Sequence, residues 1–389
     1  MSIPEPVTAI ARDALNWRRE LHAHPELLFD LPRTSGFVAD KLRSFGCDEV
    51  VTGIATSGVV AVIRGRQQTS GRVIGLRADM DALPIEEIGN ANYRSTIPGR
   101  MHACGHDGHT AMLLGAARHL AATRHFDGTA VLVFQPAEEG GAGARVMIDE
   151  GLMERFGIQE VYALHNRPGL PVGSFALREG PLLAASDRFV VRIEGRGSHA
   201  AAPHRAVDPV LVAAHMTVAL QSVVSRNVDP LDPAVLTVAQ ISGGHAMNVI
   251  PAEAEVTGTI RTFSANVRSL MEARFSEVAA RVAETFGATA IVDWLPGYPV
   301  TANDAERTAL AAAAAASVAG AGDGVTTCTP DMVSEDFSYM LEARPGAFVW
   351  IGNGPSADLH HPAYDFDDDA IPYGIAFWTR LVEQNCPVS

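Results

Sequence analysis

The sequence VIGLRADMD, residues 73–81, joins a short apolar run to a cluster of charged side chains. Residues 73–76 have the composition of a buried strand, and Asp79 and Asp81 follow where that strand is expected to end. Residues 130–139, AVLVFQPAEE, repeat the arrangement. Apolar strands that end in carboxylates predict an α/β sheet with an ionisable edge.

Short apolar runs alternate with longer helical stretches on both sides of this segment. We predict strands and helices in the order expected of a largely parallel sheet. The strands are predicted at residues 59–63, 73–76, 130–134, 161–164 and 347–351, and the helices at residues 8–24, 34–45, 107–123 and 303–318.

The middle of the chain has a different order of elements. Strands are predicted at residues 187–194, 234–242, 254–262 and 288–294, with helices at 208–226 and 266–286. The resulting β-α-β-β-α-β order is that of a ferredoxin-like domain. We therefore expect an inserted domain at residues 185–298, and a first domain made of residues 1–184 and 299–389.

The composition excludes several classes of protein. Hydrophobic residues make up 47% of the chain and charged residues 19%, which favours a folded interior over disorder. The net charge of −15 argues against binding a nucleic-acid backbone. No apolar run approaches the ~20 residues that a membrane span needs. The four cysteines are sparse and unpatterned, as expected of a cytoplasmic protein without a disulfide framework.

Ionisable residues follow several of the predicted strands. Because ligands of open α/β sheets bind beyond the carboxyl ends of the strands, these residues are expected to converge. They are Asp79 and Asp81, Glu138 and Glu139, His165, and His360 and His361. The segment MHACGHDGH, residues 101–109, joins them at the start of a predicted helix.

Cys104 and His106 are one residue apart, so a thiolate and an imidazole share one tight loop. Such a loop can instead cap a helix, with the cysteine acting as a small buried hydrophobe. The carboxylates and histidines at the neighbouring strand ends favour a metal site, with zinc, nickel, cobalt or manganese as the candidate ions. Adjacent glutamates are often only solvated charge. In this setting, one of Glu138 and Glu139 can bind an ion while the other serves as a general base.

These motifs carry a family resemblance. The chain resembles the zinc-dependent aminoacylase and carboxypeptidase metallohydrolases, specifically the branch of hippurate hydrolase and auxin-conjugate hydrolase. The resemblance runs from RRELH at residues 18–22 to IPYG at residues 371–374. Its most specific motifs are MHACGHDGHTAMLLGAA and FQPAEEGGAGA, and LHHPAYDF and SEDFSYML support them.

The resemblance implies a catalytic domain with an inserted dimerisation domain and two divalent metal ions. The implied ligands are Cys104, His106, Glu139, His165 and His360. The family pattern His-x-Pro selects His360, and His361 is the alternative. Glu138 is implied to be the general acid and base, and Asp81 to orient the site.

The inserted domain contributes three further residues by the same resemblance. His199, in GRGSHAAAPH, is implied to stabilise the oxyanion. Asn248 resembles a residue that a partner subunit presents to the active site, which implies a homodimer or a higher assembly such as a tetramer. Arg261 resembles a clamp for the substrate carboxylate, and a solvated strand arginine is its alternative.

The chain departs from the wider family at two positions. Asp79 stands where many members have histidine, and Cys104 replaces a bridging aspartate. Both changes are usual in the hippurate branch.

The implied activity is hydrolysis of the amide bond of N-acyl amino acids, such as hippurate-like or N-acetyl compounds. A metallo-dipeptidase or carboxypeptidase on the same scaffold is the alternative. An amidase with Cys104 as nucleophile, or a metal-binding relative without catalysis, is a more distant one. The acyl group and the leaving amino acid are not specified by the sequence.

Overall fold

The computed structural model describes residues 5–319 and 324–389. These residues divide into two units. The first contains residues 5–180, 302–319, 324–329 and 336–389, and the second contains residues 181–301 and 330–335.

The helices are α1 (Glu5–His22), α2 (Pro32–Ser44), α3 (His106–Thr123), α4 (Gly143–Asp149), α5 (Leu152–Arg155), α6 (Pro209–Asn227), α7 (Ala265–Thr285), α8 (Ala305–Val318), α9 (Phe337–Ala343) and α10 (Ile371–Asn385). The strands are β1 (Glu49–Ile54), β2 (Gly58–Arg64), β3 (Val73–Asp79), β4 (Thr129–Gln135), β5 (Glu160–Arg167), β6 (Phe175–Leu177), β7 (Gly180–Leu183), β8 (Ala185–Glu194), β9 (Ser198–His199), β10 (Ala234–Gly243), β11 (Val249–Ile250), β12 (Glu253–Thr262), β13 (Thr289–Pro296), β14 (Thr301–Asn303), β15 (Val325–Thr327) and β16 (Gly346–Gly352). Short 3₁₀ turns lie at Pro203–Arg205 and Asp368–Ala370.

Within the described part of the first unit, eight strands form one sheet in the order β1-β2-β4-β3-β5-β16-β6-β15. Four central strands run parallel to one another, in the order β4, β3, β5 and β16. The mainly parallel sheet predicted from the sequence is therefore confirmed. Strand β2 runs antiparallel to both β1 and β4. Only residues 55–57 join β1 to β2, which is too short for a parallel crossover.

Helix α3 is buried around most of its circumference and contacts the sheet as well as α1 and α10. This explains its apolar sequence, AMLLGAA, after the polar first turn. Helix α1 is amphipathic and buries Val7, Ala14, Trp17 and Leu21 along one face. It ends at His22, two residues earlier than the sequence pattern suggested.

In the described part of the second unit, four antiparallel strands form a sheet in the order β10-β12-β8-β13. Helices α6 and α7 contribute to one apolar core with these strands, through residues such as Met216, Leu220, Met271 and Phe275. The main elements follow the order β8-α6-β10-β12-α7-β13, which is the predicted ferredoxin-like order. Strands β9 and β11 pair with each other in a separate two-stranded antiparallel ribbon. The domain boundaries at 185 and 298 remain a prediction.

Across residues 5–319 and 324–389, no helix combines the length and the apolar composition that crossing a bilayer requires. The cysteines Cys47, Cys104, Cys328 and Cys386 are all free thiols.

Candidate metal centre

Three neighbouring parallel strands set the position of the candidate residues. Strands β3 and β4 are in register up to their ends, where Asp79 is level with Gln135. Asp81 follows β3, the two adjacent glutamates follow β4, and His165 lies near the end of β5. The carboxyl ends of parallel strands meet at one edge of the sheet, so these groups lie close together although they are far apart in sequence.

A glycine allows the loop between Cys104 and His106 to turn into helix α3. Gly105 has a φ of +87°, a conformation that side chains other than glycine rarely adopt. A Cβ at this position would lie 2.5 Å from Asn166 Oδ1 and 2.6 Å from the hydroxyl of Tyr364. Gly105 therefore permits both the turn and the close approach of the loop to β5.

Cys104, His106 and Glu139 form a compact group whose potential ligand atoms all lie within 4.8 Å of one another. His106 Nε2 lies 4.0 Å from Glu139 Oε1. Cys104 Sγ lies 3.5 Å from Nε2 of His165, which brings a fourth candidate ligand to the group. A thiolate, imidazoles and a carboxylate are the ligand types that zinc and similar divalent ions bind.

The tautomers of the two buried histidines suit metal binding. His106 Nδ1 lies 2.8 Å from the carbonyl oxygen of Asp81, and His165 Nδ1 lies 2.8 Å from that of Asn166. Since a carbonyl can only accept, each Nδ1 is the donor, which leaves Nε2 as the atom that can bind an ion when the ring is neutral. Hydrogen bonding of the other ring nitrogen is the usual arrangement for a metal-bound histidine.

Two buried atoms at this group have no hydrogen-bond partner among residues 5–319 and 324–389. They are His106 Nε2 and Glu139 Oε1. A buried polar atom without a partner costs about 1–3 kcal/mol, so such atoms call for an explanation. A divalent cation satisfies both atoms, and the residues present therefore fit a metal ion.

Asp81 holds the two glutamates in place. Its carboxylate accepts the backbone N–H of Glu138 at 2.9 Å and that of Glu139 at 3.1 Å. Asp81 is buried, and this burial raises the pKa of its carboxyl group. The side chain thus orients the turn after β4.

The charges of the site favour a cation. Burial alone lowers the pKa of His106, but Asp79, Asp81 and Glu139 more than offset this effect and raise the pKa to about 10. Burial, together with His109, holds the pKa of His165 well below its usual range. The ring of His106 therefore lies in a strongly negative environment, and the ring of His165 is neutral, with its Nε2 facing the thiol of Cys104.

The two C-terminal histidines have different surroundings. His360 Nε2 lies 3.1 Å from Glu139 Oε1, although the His360 side chain is 52% exposed. His361 is exposed, and its Nδ1 accepts a hydrogen bond from the backbone N–H of Ala363. The structure thus brings His360, rather than His361, to the group.

Two residues of this region were not predicted as ligands or catalytic residues, although Asp79 was expected at this edge. His109 Nδ1 lies 2.6 Å from Asp79 Oδ1, and both side chains are buried. Asp79, His106, His109 and His165 form a second group of potential ligands within 4.8 Å. The spacing of His106 and His109, three residues apart on a helix, could have suggested that both face the same side.

The remaining candidates lie in the second unit. His199, on β9, pairs with Val249 on β11, and its exposed ring accepts a hydrogen bond from the N–H of Ala201. The carbonyl of Asn248 accepts the N–H of Ala200, so Asn248 is close to the His199 loop. Arg261, on β12, is half-buried and donates to the carbonyl of its neighbour Ile260.

The chain is similar to several known proteins. The profile described as peptidase family M20/M25/M40 matches residues 75–384. An N-acetyl-L-cysteine deacetylase of Bacillus subtilis is 44% identical over 371 residues, covering 95% of this chain and 87% of the relative. A hippurate hydrolase of Campylobacter jejuni is 38% identical and covers 94% of both chains. The crystal structure of a dinuclear-metal-binding M20 peptidase from Bacillus subtilis superposes with a TM-score of 0.86 at 35% identity, covering 97% of this chain and 99% of that one.

Proposed function

Because the chain belongs to the peptidase family M20/M25/M40, we propose that it uses divalent metal ions to hydrolyse the amide bond of N-acyl amino acids. The products are a carboxylic acid and a free amino acid. N-acetylcysteine and hippurate, named for two relatives, are both N-acyl amino acids. The observation that carries the proposal is the group of Cys104, His106 and Glu139, in which two buried ligand atoms lack hydrogen-bond partners among the described residues.

Five residues are proposed to hold two divalent ions. The proposed ligands are Cys104, His106, Glu139, His165 and His360. Zinc, manganese, nickel and cobalt are the candidate ions, because thiolate, imidazole and carboxylate ligands accept each of them. When bound, the ions supply Lewis acidity, which polarises the acyl carbonyl and lowers the pKa of water.

Glu138 is proposed to move the protons of the reaction. Its side chain is buried, and the N–H of Asp336 lies 3.4 Å from its Oε1. Asp81 fixes the backbone of Glu138 and so sets where its carboxylate points. As general base, Glu138 takes a proton from water that attacks the acyl carbonyl. It then gives that proton to the departing amine, as general acid.

The second unit is proposed to recognise the substrate. His199 is proposed to donate to the oxygen that becomes negative in the tetrahedral intermediate. Arg261 is proposed to bind the substrate carboxylate, which the fork of a guanidinium suits. Asn248 is proposed to reach the site of a partner subunit.

A homodimer formed through the second unit is part of the proposal. Strand β10 is an edge strand, and Val235 and Ile241 on it are exposed. On helix α6, Leu211 and Val218 are also exposed, the latter at 75%. An edge strand and an apolar helix face in one unit suit pairing with a second copy.

A cytoplasmic location is also proposed, and the sparse free cysteines support it.

A hydrolysis screen tests the proposal. Metal-free protein is loaded with zinc, manganese, nickel or cobalt and assayed with N-acetyl and N-benzoyl amino acids and with dipeptides. We expect metal-dependent release of free amino acid from the N-acyl compounds. Faster cleavage of dipeptides would favour a peptidase instead. Activity that survives chelation but is lost on alkylation with iodoacetamide would favour Cys104 as a nucleophile.

A further inference from the structure

Asp79 and His109 lie beside the proposed ligands, yet the proposed mechanism does not use them. Asp79 is the last residue of β3, and His109 lies on α3, almost one turn after His106. Both side chains are almost fully buried. Their contact, 2.6 Å between His109 Nδ1 and Asp79 Oδ1, joins the helix to the sheet.

Both ring nitrogens of His109 are occupied by protein atoms. Nε2 is in contact with two polar atoms of Asn166: the backbone N–H at 3.0 Å and the side-chain carbonyl oxygen Oδ1 at 2.8 Å. Because the carboxylate of Asp79 can only accept, Nδ1 carries a proton and donates it to Asp79. Both nitrogens of His109 are therefore engaged by protein atoms, whereas Nε2 of His106 has no hydrogen-bond partner among the described residues.

Asp79 is equally engaged. Its Oδ1 accepts from His109, and its Oδ2 accepts from Nη1 of Arg77 at 2.6 Å. Arg77 also donates to Gln135, at the end of β4, and to Asp336. The N–H of Asp336 in turn approaches the proposed base. A continuous network of buried hydrogen bonds thus runs from His109 to Asp336, which contacts the proposed base Glu138.

The ring of His109 also packs against both buried candidate ligands. Its centroid lies 4.4 Å from that of His165 and 5.5 Å from that of His106. His165 is on β5 and His106 is on α3. Because the ring of His109 packs against both, it sets the distance between them. Asp79 fixes the plane of that ring by its hydrogen bond.

We propose that Asp79 and His109 are a positioning pair, which sets the geometry of His106 and His165 without binding an ion itself. The inference rests on the proposed metal centre. Outer-sphere partners of this kind change metal affinity or activity by roughly 10–100-fold when mutated. The pair would hence tune how tightly the centre holds its ions.

Two substitutions separate the contacts of His109. In His109→Asn the amide nitrogen takes about the place of Nδ1 and can still donate to Asp79. In His109→Gln it takes about the place of Nε2, and the bond to Asp79 is lost. His119→Gln is the control, since His119 lies further along the same helix and contacts Glu383 instead.

Cobalt binding provides a readout besides activity. Each purified full-length variant is stripped with a chelator and titrated with Co²⁺. The sulfur-to-cobalt charge-transfer band reports on Cys104, and competition with a chelator gives the affinity. Equilibrium dialysis gives the number of ions bound, and the unfolding temperature of the metal-free protein reports on the fold.

We expect His109→Gln to shift the band and lower Co²⁺ affinity by about 10–100-fold with the number of ions unchanged. His109→Asn should restore most of the affinity, and His119→Gln should match the wild type. Equal losses in both His109 variants would remove Asp79 from the pair. Loss of one bound ion would make His109 a ligand. An unchanged band and affinity with a lower unfolding temperature would leave only a structural role. A wild-type protein that binds no Co²⁺ would instead refute the proposed metal centre.

Discussion

The Nε2 atom of His360 lies 3.1 Å from Oε1 of Glu139, the same oxygen that approaches Nε2 of His106 to 4.0 Å. Glu139 follows β4, whereas His360 lies in the loop after β16. The oxygen faces two imidazole nitrogens and accepts a hydrogen bond from neither. Groups that share a cation are expected to show this arrangement.

His360→Ala should lower the number of bound metal ions and the activity, because the proposed centre loses a ligand. His361→Ala is the matched control, since its ring is exposed and bonded within its own loop. Metal content is measured by elemental analysis after desalting. The reverse pattern, with metal lost only in His361→Ala, would assign the ligand to His361.

The paired glutamates should respond differently to the same substitution. Glu138→Gln removes the proposed base and should lower kcat by about 10²–10⁴-fold, the usual contribution of general acid–base catalysis, with metal content unchanged. Glu139→Gln should lower metal content and activity together. Equal metal loss in both variants would contradict this division of roles.

Cys104 should be protected from alkylation when metal is bound. Its thiol is buried and lies 3.5 Å from His165 Nε2, so a shared ion would occupy its lone pair. Labelling with iodoacetamide is followed by mass spectrometry in the presence and absence of a chelator. Cys386, which is also buried and directly follows the C-terminal end of α10, serves as the internal control. Equal labelling rates for Cys104 in both states would show that it is not a ligand.

The convergence of strand ends could be predicted from the sequence because parallel strands share one carboxyl edge. Residues that follow β3, β4 and β5 therefore meet whatever the lengths of the intervening helices. The Asp79–His109 contact was not predicted. It depends on the rotation of α3 over the sheet, which is set by packing around the whole helix. The antiparallel direction of β2 depended on a three-residue connection that composition alone did not indicate.

The choice between His360 and His361 also required the structure. The two residues are adjacent, so their side chains diverge, and only the backbone decides which one faces the site. His360 has a φ of +65°, and its N–H donates to the carbonyl of Ala103. That contact ties the C-terminal loop to the segment before Cys104. A motif of the form His-His-Pro does not encode this turn.

The stability of the metal-free protein should depend on the protonation of His22. Burial lowers the pKa of His22, but its contact with Asp107, 2.8 Å away, and that with Glu87 raise the pKa to about 9. The folded pKa thus exceeds the unfolded value of about 6.5. The stabilisation is fully present below about pH 6.5 and is lost as the pH rises through about 9.

A shift of this size corresponds to about 3 kcal/mol in the free energy of unfolding. When the pH is raised from about 6 to about 10, the free energy of unfolding should fall less for His22→Gln than for the wild type. The difference between the two decreases should be about 3 kcal/mol. Urea unfolding in the presence of a chelator measures it, with the partly exposed His24→Gln as control. Parallel pH profiles for the wild type and His22→Gln would contradict the prediction.

His199→Ala should lower kcat by about 10²–10³-fold with metal content unchanged, the usual loss for one oxyanion donor. The side chain is exposed on β9, so its removal should leave the fold of the second unit intact. A kcat near the wild-type value would remove His199 from the mechanism. Arg196→Ala, a neighbouring exposed residue, is the control for effects on the loop.

Mixed dimers test whether His199 acts across a subunit interface. A Glu138→Gln subunit still carries a functional His199, and a His199→Ala subunit still carries a functional Glu138. If His199 serves the partner's site, one site of the mixed dimer has both residues and should regain about half the wild-type activity per dimer. If His199 serves its own chain, each site lacks one of the two residues, and mixing gives no rescue. Native mass spectrometry confirms that mixed dimers have formed. Absence of rescue in confirmed mixed dimers would leave the chemical role of His199 standing and reject only its action across the interface.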